Sequence, residues 1–249
     1  MFHPHSPQAA LEFPQPPSRK DTKSDPAATL AWLKENIATI YMIGRETSLS
    51  QHKPPVLAQS AYLRLYTTTH NYVEITRFPR KKEPDDPEPL DGESLYRCLE
   101  QIIRSHCSEI KDRLFAPDNS TGANGEASYA MIQEYLVQWK MLTQHLAALV
   151  ARVMRHLERH WIKRELDEKR KAIYAIEDLH TVIWKKTVLH VGGESTTVAA
   201  STARAELKHA VGMLLQEQSE DGVETDRKDL AERFLESLRT MDVDLEASI

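Results

Sequence analysis

His156 and His160 stand four residues apart in VARVMRHLERHW, a spacing that sets two imidazoles on one helix face, where they can share a metal ion. A metal site needs further ligands. The sequence has no HExxH frame and no other Cys/His cluster, so these two are expected to be surface or interhelical histidines, with no metal. His106-Cys107 puts a base beside a nucleophile, but sequence neighbours on a helix point about 100° apart and cannot share a proton. Gly192-Gly193, followed by Glu-Ser-Thr-Thr, lacks both the GxxxxGK frame and the preceding strand of a phosphate loop. The charged run 163–171 holds Glu165/Lys169 and Asp167/Lys171 at i,i+4, as on a solvated helix face, and its acids and bases nearly cancel. No convergent polar cluster remains. The chain is expected to be a binding protein, not an enzyme, and to need no cofactor.

The elements point the same way. From Tyr129 to Leu189 the chain contains neither Pro nor Gly, and three of its four tryptophans, Trp139, Trp161 and Trp184, lie in that run. The run predicts a very long amphipathic helix opening at an N-cap near Ser128, a charged junction, and a second helix. Its apolar series is Ile132, Tyr135, Leu136, Trp139, Leu142, Leu146, Leu149, Val150, Val153, Leu157 and Trp161. Around it the spacing predicts helices from Pro26 to Ile43, ended by Gly44, and from Val56 to Ile75, 93 to 114, 207 to 215, and 227 to 241. Loops are expected at 79–91, 116–127 and 190–203, where Pro, Gly and polar residues gather. No segment alternates as a strand does.

Composition sets the limits. The 249 residues suffice for one large or two modest domains, and the 28% charged and 41% hydrophobic content is that of a globular protein. Eight glycines are few for sandwiches, barrels or doubly wound folds, which need glycine at turns and phosphate loops. A net charge of −5 argues against a nucleic-acid partner. No stretch reaches about 18 apolar residues, so no membrane span is expected. The N-terminus, MFHPHSPQAALEFPQPPSRKDTKSDP, lacks the apolar core of a signal peptide, and its Pro and polar content predict a disordered tail over 1–26. Cys98 and Cys107, placed on one helix, lie roughly 13 Å apart, too far for a disulfide. A reducing compartment, cytoplasm or nucleus, is expected.

YLRLYTTTHNY sets Tyr62, Leu63, Tyr66, His70 and Tyr72 on more than one helical face. One face must pack inside. The other can form an apolar patch with hydroxyl handles, the composition of protein interfaces; the alternative is that all of them share one core.

Three blocks then form a recognisable set: AYLRLYTTTHNY at 61–72, GESLYRCLEQIIRSH at 92–106, and RHWIKRELDEKRKAIYAIEDLHTVIWKKTVL at 159–189. Arg159-His160-Trp161, a charged stretch, Ile173-Tyr174 and Trp184 occur at the spacing found in the N-terminal region of cullins. The chain resembles that family, most closely the cullin-1 type that scaffolds SCF ubiquitin ligases, from about Leu30 to Met241, with a weaker match through KHAVGMLLQEQSEDGVETDRKDL. The 190–203 loop is longer than in the family and 44–56 matches poorly.

The resemblance implies an all-α fold of stacked five-helix cullin repeats, an α-solenoid-like stalk. One complete repeat would cover 27–161, ending in the long helix 128–161, and part of a second would cover 162–249. It also implies a non-catalytic scaffold segment that binds an SKP-type BTB-fold adaptor and, through it, F-box substrate receptors. The family's adaptor docks on the second and fifth helices. Carried onto this chain, the site comprises Tyr62, Leu63 and Tyr66, faced by Met131, Ile132 and Tyr135. The RING-recruiting half of the family has no counterpart in the sequence, so the RING subunit is not expected to bind this segment. Two other readings stand beside this one: a helical-repeat tethering or regulatory protein using the same face, and a short cullin-like competitor that sequesters adaptor.

Overall fold

The computed structural model describes residues 10–51, 54–77, 91–116, 125–189, 198–216 and 223–243. The helices are α1 (Arg19–Ser24), α2 (Pro26–Gln51), α3 (Gln59–Thr76), α4 (Gly92–Leu114), α5 (residues 125–167), α6 (Ile176–Thr187), α7 (Val198–Gln216) and α8 (Val223–Thr240). The only extended pairing among the described residues is an isolated bridge between Leu11 and Leu57. The all-α expectation holds. The expected loop at 79–91 lies almost wholly outside the described residues, and of the other two, α5 begins at Gly125 and α7 at Val198, inside the stretches read as loop.

α5 is not uniformly wound and is interrupted at Met154 (φ -94°, ψ 11°). It widens into π turns at Met141–Leu146 and Glu158–Ile162. Ser128 is buried in its first turns and is not the N-cap expected of it.

The chain divides into two compact units that do not coincide with the blocks 27–161 and 162–249. One draws on Met1–Ile102 and Gln144–Leu179, the other on Ile103–Thr143 and His180–Ile249. The chain passes between them within α4, α5 and α6.

In the first unit the apolar stripes of four helices meet. Leu33, Ile37, Ile40 and Tyr41 of α2 and Ala61, Leu65 and Tyr72 of α3 are buried, as are Leu95, Tyr96 and Leu99 of α4 and Val150, Val153, Leu157 and Trp161 of α5. Gly44 does not end α2, which runs on to Gln51. Glycine is weakly helical, but here its missing side chain admits α5. A Cβ at Gly44 would lie 2.9 Å from Leu146 Cδ2.

Residues 10–26 are not a disordered tail. Leu11 N donates to Val56 O (3.0 Å) and Ala58 N to Leu11 O (3.1 Å). Phe13 is buried, its carbonyl accepts from Arg64 Nη1, and Glu12 accepts from Ser60 Oγ (2.6 Å). α1 opens with a capping box in which Ser18 and Asp21 satisfy each other's backbone N–H. Prolines and low apolar content obscured this segment, but Ser18-x-x-Asp21 was the local signal that could have revealed it.

The charged junction also differs from its expectation. α5 stops at Asp167, and Lys169 (φ 57°) and Ala172 (φ 64°) take left-handed conformations, which dissolves the expected i,i+4 pairs with Lys169 and Lys171. Glu165 is buried and bound by Arg164 (2.8 Å) and Arg170 (2.9 Å), and Arg170 continues to Glu93 of α4 (2.7 Å). Tyr174 N donates to Tyr96 Oη (2.9 Å), which donates back to Tyr174 O (3.4 Å). The Tyr96 hydroxyl thus moors the backbone of the turn after α5 on α4.

The second unit packs around aromatic residues. Tyr135 stands edge-on to Trp184 (centroids 5.4 Å) and to Phe234 of α8 (4.8 Å), and Trp139 lies 5.6 Å from Trp184. Ile132, Leu142, Leu207, Leu214, Leu230 and Leu238 close the core around them. Lys185 Nζ donates to Met241 O (2.8 Å) and Asp242 O (3.2 Å), satisfying carbonyls just beyond α8.

Candidate functional site

α3 presents two faces of different character. Ala61, Leu65, Thr68, Thr69, Tyr72, Val73 and Thr76 are buried, recurring at helical spacing. On the other side Leu63 is 50% exposed, and Tyr62 and Tyr66 are half-buried. One turn apart, the two phenol rings lie nearly parallel, 15° between planes, with centroids 6.3 Å apart. Val56, just before the helix, is 51% exposed and was missed at the sequence level because it was read as a helical residue. The chain around Glu12 and Phe13 is held on another flank of α3, by Ser60 and Arg64, each two positions from Tyr62. The structure therefore brings Tyr62, Leu63 and Tyr66 together as an accessible aromatic and aliphatic face on a helix whose other face is fixed in a core.

The three residues expected from α5 fare differently. Met131 is half-buried, whereas Ile132 and Tyr135 are fully buried in the second unit. Tyr135 Oη accepts a bond from Trp184 Nε1 (3.2 Å), and burial pushes its phenol up to about 12. Ile132 and Tyr135 thus build the core and offer no side-chain surface. Their position on the stripe that continues through Trp139 and Leu142 is the reason.

His156 and His160 are joined by His70 of α3 in a row of rings, with centroids 4.3 Å apart for His70–His156 and 4.2 Å for His156–His160. His156 Nε2 lies 2.8 Å from Glu74 Oε1. Burial pushes the His156 pKa below its ordinary value, more than the Glu74 carboxylate raises it, and the neighbouring His70 and His160 add to the depression. The pair is interhelical, as one of the sequence readings had it. No group of His, Cys, Asp or Glu among the described residues is arranged to hold a metal ion.

Neither thiol is activated. Burial pushes the Cys107 thiol far above its usual range and raises that of Cys98 too, which keeps both in the poorly nucleophilic protonated form. A cleft of about 280 Å³ lies among Thr76, Arg77, Asp91, His160, Trp161 and Arg164. Arg164 is engaged there with Glu165. Among the described residues no helix is long and apolar enough to cross a membrane.

The described residues thus form a helical scaffold with an accessible aromatic and aliphatic face on α3. The Cullin alpha solenoid domain matches residues 32–248. The chain belongs to the cullin family. Cullin-1 of Caenorhabditis elegans is 22% identical over 147 residues, covering 54% of this chain and 18% of the worm protein. Cullin-1 of Dictyostelium discoideum is 22% identical over 130 residues, covering 50% of this chain and 16% of its own length. The chain thus matches less than a fifth of the length of these curated relatives. No solved structure matches.

Proposed function

We propose that this cullin-family chain is a non-catalytic scaffold segment of a cullin-type ubiquitin ligase and that it binds an SKP-type adaptor through the outward face of α3. Through that adaptor it holds F-box substrate receptors, in the cytoplasm or nucleus. The observation that carries this reading is the accessible set Tyr62, Leu63 and Tyr66 on a helix anchored from behind by Leu65, Thr69 and Tyr72. A rigid helix presenting aromatic and aliphatic side chains has the character of a binding hot spot, where truncating one anchor costs about 2 kcal/mol or more. Met131, Ile132 and Tyr135 belong to the second unit, and the proposed contact rests on α3.

The test is a titration of the purified chain with a purified SKP-type adaptor, followed by calorimetry. Tyr62→Ala and Tyr66→Ala should each weaken binding by about 30-fold, with helical content unchanged by circular dichroism. Binding by both variants as tight as by the wild type would remove α3 from the contact. No binding by the wild-type chain would sink the adaptor reading and favour a helical tether that uses this face for another protein.

A further inference from the structure

Four of the buried positions along the second part of α5 are each followed, two residues on, by an exposed cation. Val150, Val153, Leu157 and Trp161 are buried, and the residues two positions beyond each, Arg152, Arg155, Arg159 and Lys163, are all exposed. Two helical positions correspond to a rotation of about 200°, which sets the four side chains on the outward face. They follow one another along the helix at steps of three, four and four residues, across the turn at Met154 and the π turn at Glu158–Ile162. None of the four makes an ion pair among the described residues; the one side-chain bond is from Arg152 Nε to Ala148 O, 3.2 Å.

The near-cancellation of acids and bases read from the sequence concerned 163–171, where Glu165 pairs with Arg164 and Arg170; over 152–163 the sole acid is Glu158. Glu158 points to the turn after α5, where its carboxylate accepts from Ile176 N (3.3 Å). Glu165 is buried between Arg164 and Arg170. The acids face inward or sideways, and the outward face carries only positive charge until Asp167.

We propose that this stripe is a docking surface for an acidic helical segment of a partner protein, separate from the aromatic face of α3. A helix carrying Glu or Asp on one face presents a row of carboxylates to these cations, and three of the four are guanidiniums, whose planar forks suit carboxylates. The surface is a poor match for nucleic acid or a lipid bilayer. Polyanions reward a broad positive field, whereas this is one row of four charges on a chain of net charge −5.

The experiment uses the full chain and two labelled helical peptides, each of roughly 18 residues so that several turns form. One carries Glu at every i,i+4 position on one face and the other carries Gln at the same places. Fluorescence anisotropy is read at about 50 mM salt and at about 300 mM, where exposed charges are screened. The Glu peptide should bind at low salt, lose affinity at high salt, and bind the Arg155→Ala/Arg159→Ala variant at least about tenfold more weakly. Arg239→Ala, at an exposed arginine of α8 paired with Glu236, should bind as the wild type does. Circular dichroism confirms that both variants keep their helices.

Equal binding by wild type and the double variant, or no preference for Glu over Gln, would overturn the proposal. So would displacement of the bound Glu peptide by an equally charged oligonucleotide or by phosphatidylserine vesicles at lower concentration, since that would mark a general polyanion surface.

Discussion

Gly92, the first residue of α4, lies against the root of the Trp161 side chain. For Gly92→Ala the new Cβ would stand 2.4 Å from Trp161 Cγ, 2.5 Å from Cδ1 and 2.9 Å from Cβ. Carbon–carbon contacts relax to about 3.5–4.0 Å, so α4 or the indole must give by about 1 Å. Rotating the far end of the indole does not help, because the clashing atoms are those nearest the backbone. The ring is also held in place: it is 6% exposed and packs on Tyr96, with centroids 5.4 Å apart.

Overpacking of this kind costs about 1–3 kcal/mol. With a slope near 2 kcal/mol per molar urea, the unfolding midpoint should fall by roughly 0.5–1.5 M. Two other glycines serve as controls in the same assay, followed by far-ultraviolet circular dichroism. Gly212 in α7 has no atom within 4 Å of a built Cβ, so Gly212→Ala should stabilise by about 0.5–1 kcal/mol through helix propensity. Gly44 meets only the end of the Leu146 side chain, at 2.9 and 3.1 Å, which can turn aside, so Gly44→Ala should fall between the two. A midpoint for Gly92→Ala at or above that of the wild type would refute the reasoning that this contact limits how closely α4 and α5 can pack.

Tyr135→Phe should destabilise by about 1–3 kcal/mol, because it strands the buried Trp184 Nε1 donor; adaptor affinity should stay unchanged, and a loss of affinity at full helicity would return Tyr135 to the contact. His156 should make stability depend on pH on the acid side of neutrality. His156 has a folded pKa below its ordinary 6.5, so the unfolded chain takes up its proton first and stability falls as pH drops through 6.5 toward the folded value. Glu74, held low chiefly by its hydrogen bond to His156, and Arg77 and the rings of His70 and His160 are the charged and titratable groups that couple to it. His156→Gln should flatten that part of the curve of urea midpoint against pH, and an unchanged slope between pH 6.5 and 5.5 (about one unit below the ordinary value) would rule the histidine out as its source.

How much of this was legible beforehand follows from what a period can and cannot encode. The stripes of α2, α4, α6 and α8 were plain, because each has one apolar face and one polar face. α3 carries apolar and aromatic residues on two faces, and periodicity alone left open which was core. The structure resolves it by burying Ala61, Leu65 and Tyr72, with Tyr62, Leu63 and Tyr66 left outward. What could not be read were contacts between residues far apart in sequence: Gly44 with Leu146, Arg170 with Glu93, Leu11 with Leu57. Gly44 resembled a helix end because a local rule has no access to a neighbouring helix.

The misplacement of Ile132 and Tyr135 has a different origin, and the sequence contained the means to avoid it. Both lie on the apolar series that continues through Leu136, Trp139 and Leu142, all of which are buried. A stripe that builds the core cannot also present a docking surface along the same line, so contact residues on such a helix have to be sought one or two positions off it. Met131 is one position off, and it alone of the three keeps accessible surface. The same rule locates the cations of α5. Arg152, Arg155, Arg159 and Lys163 each stand two positions from a buried residue, the displacement that carries a side chain furthest from the core. On a helix this long, surfaces available to partners are therefore found by shifting the core pattern and not by extending it.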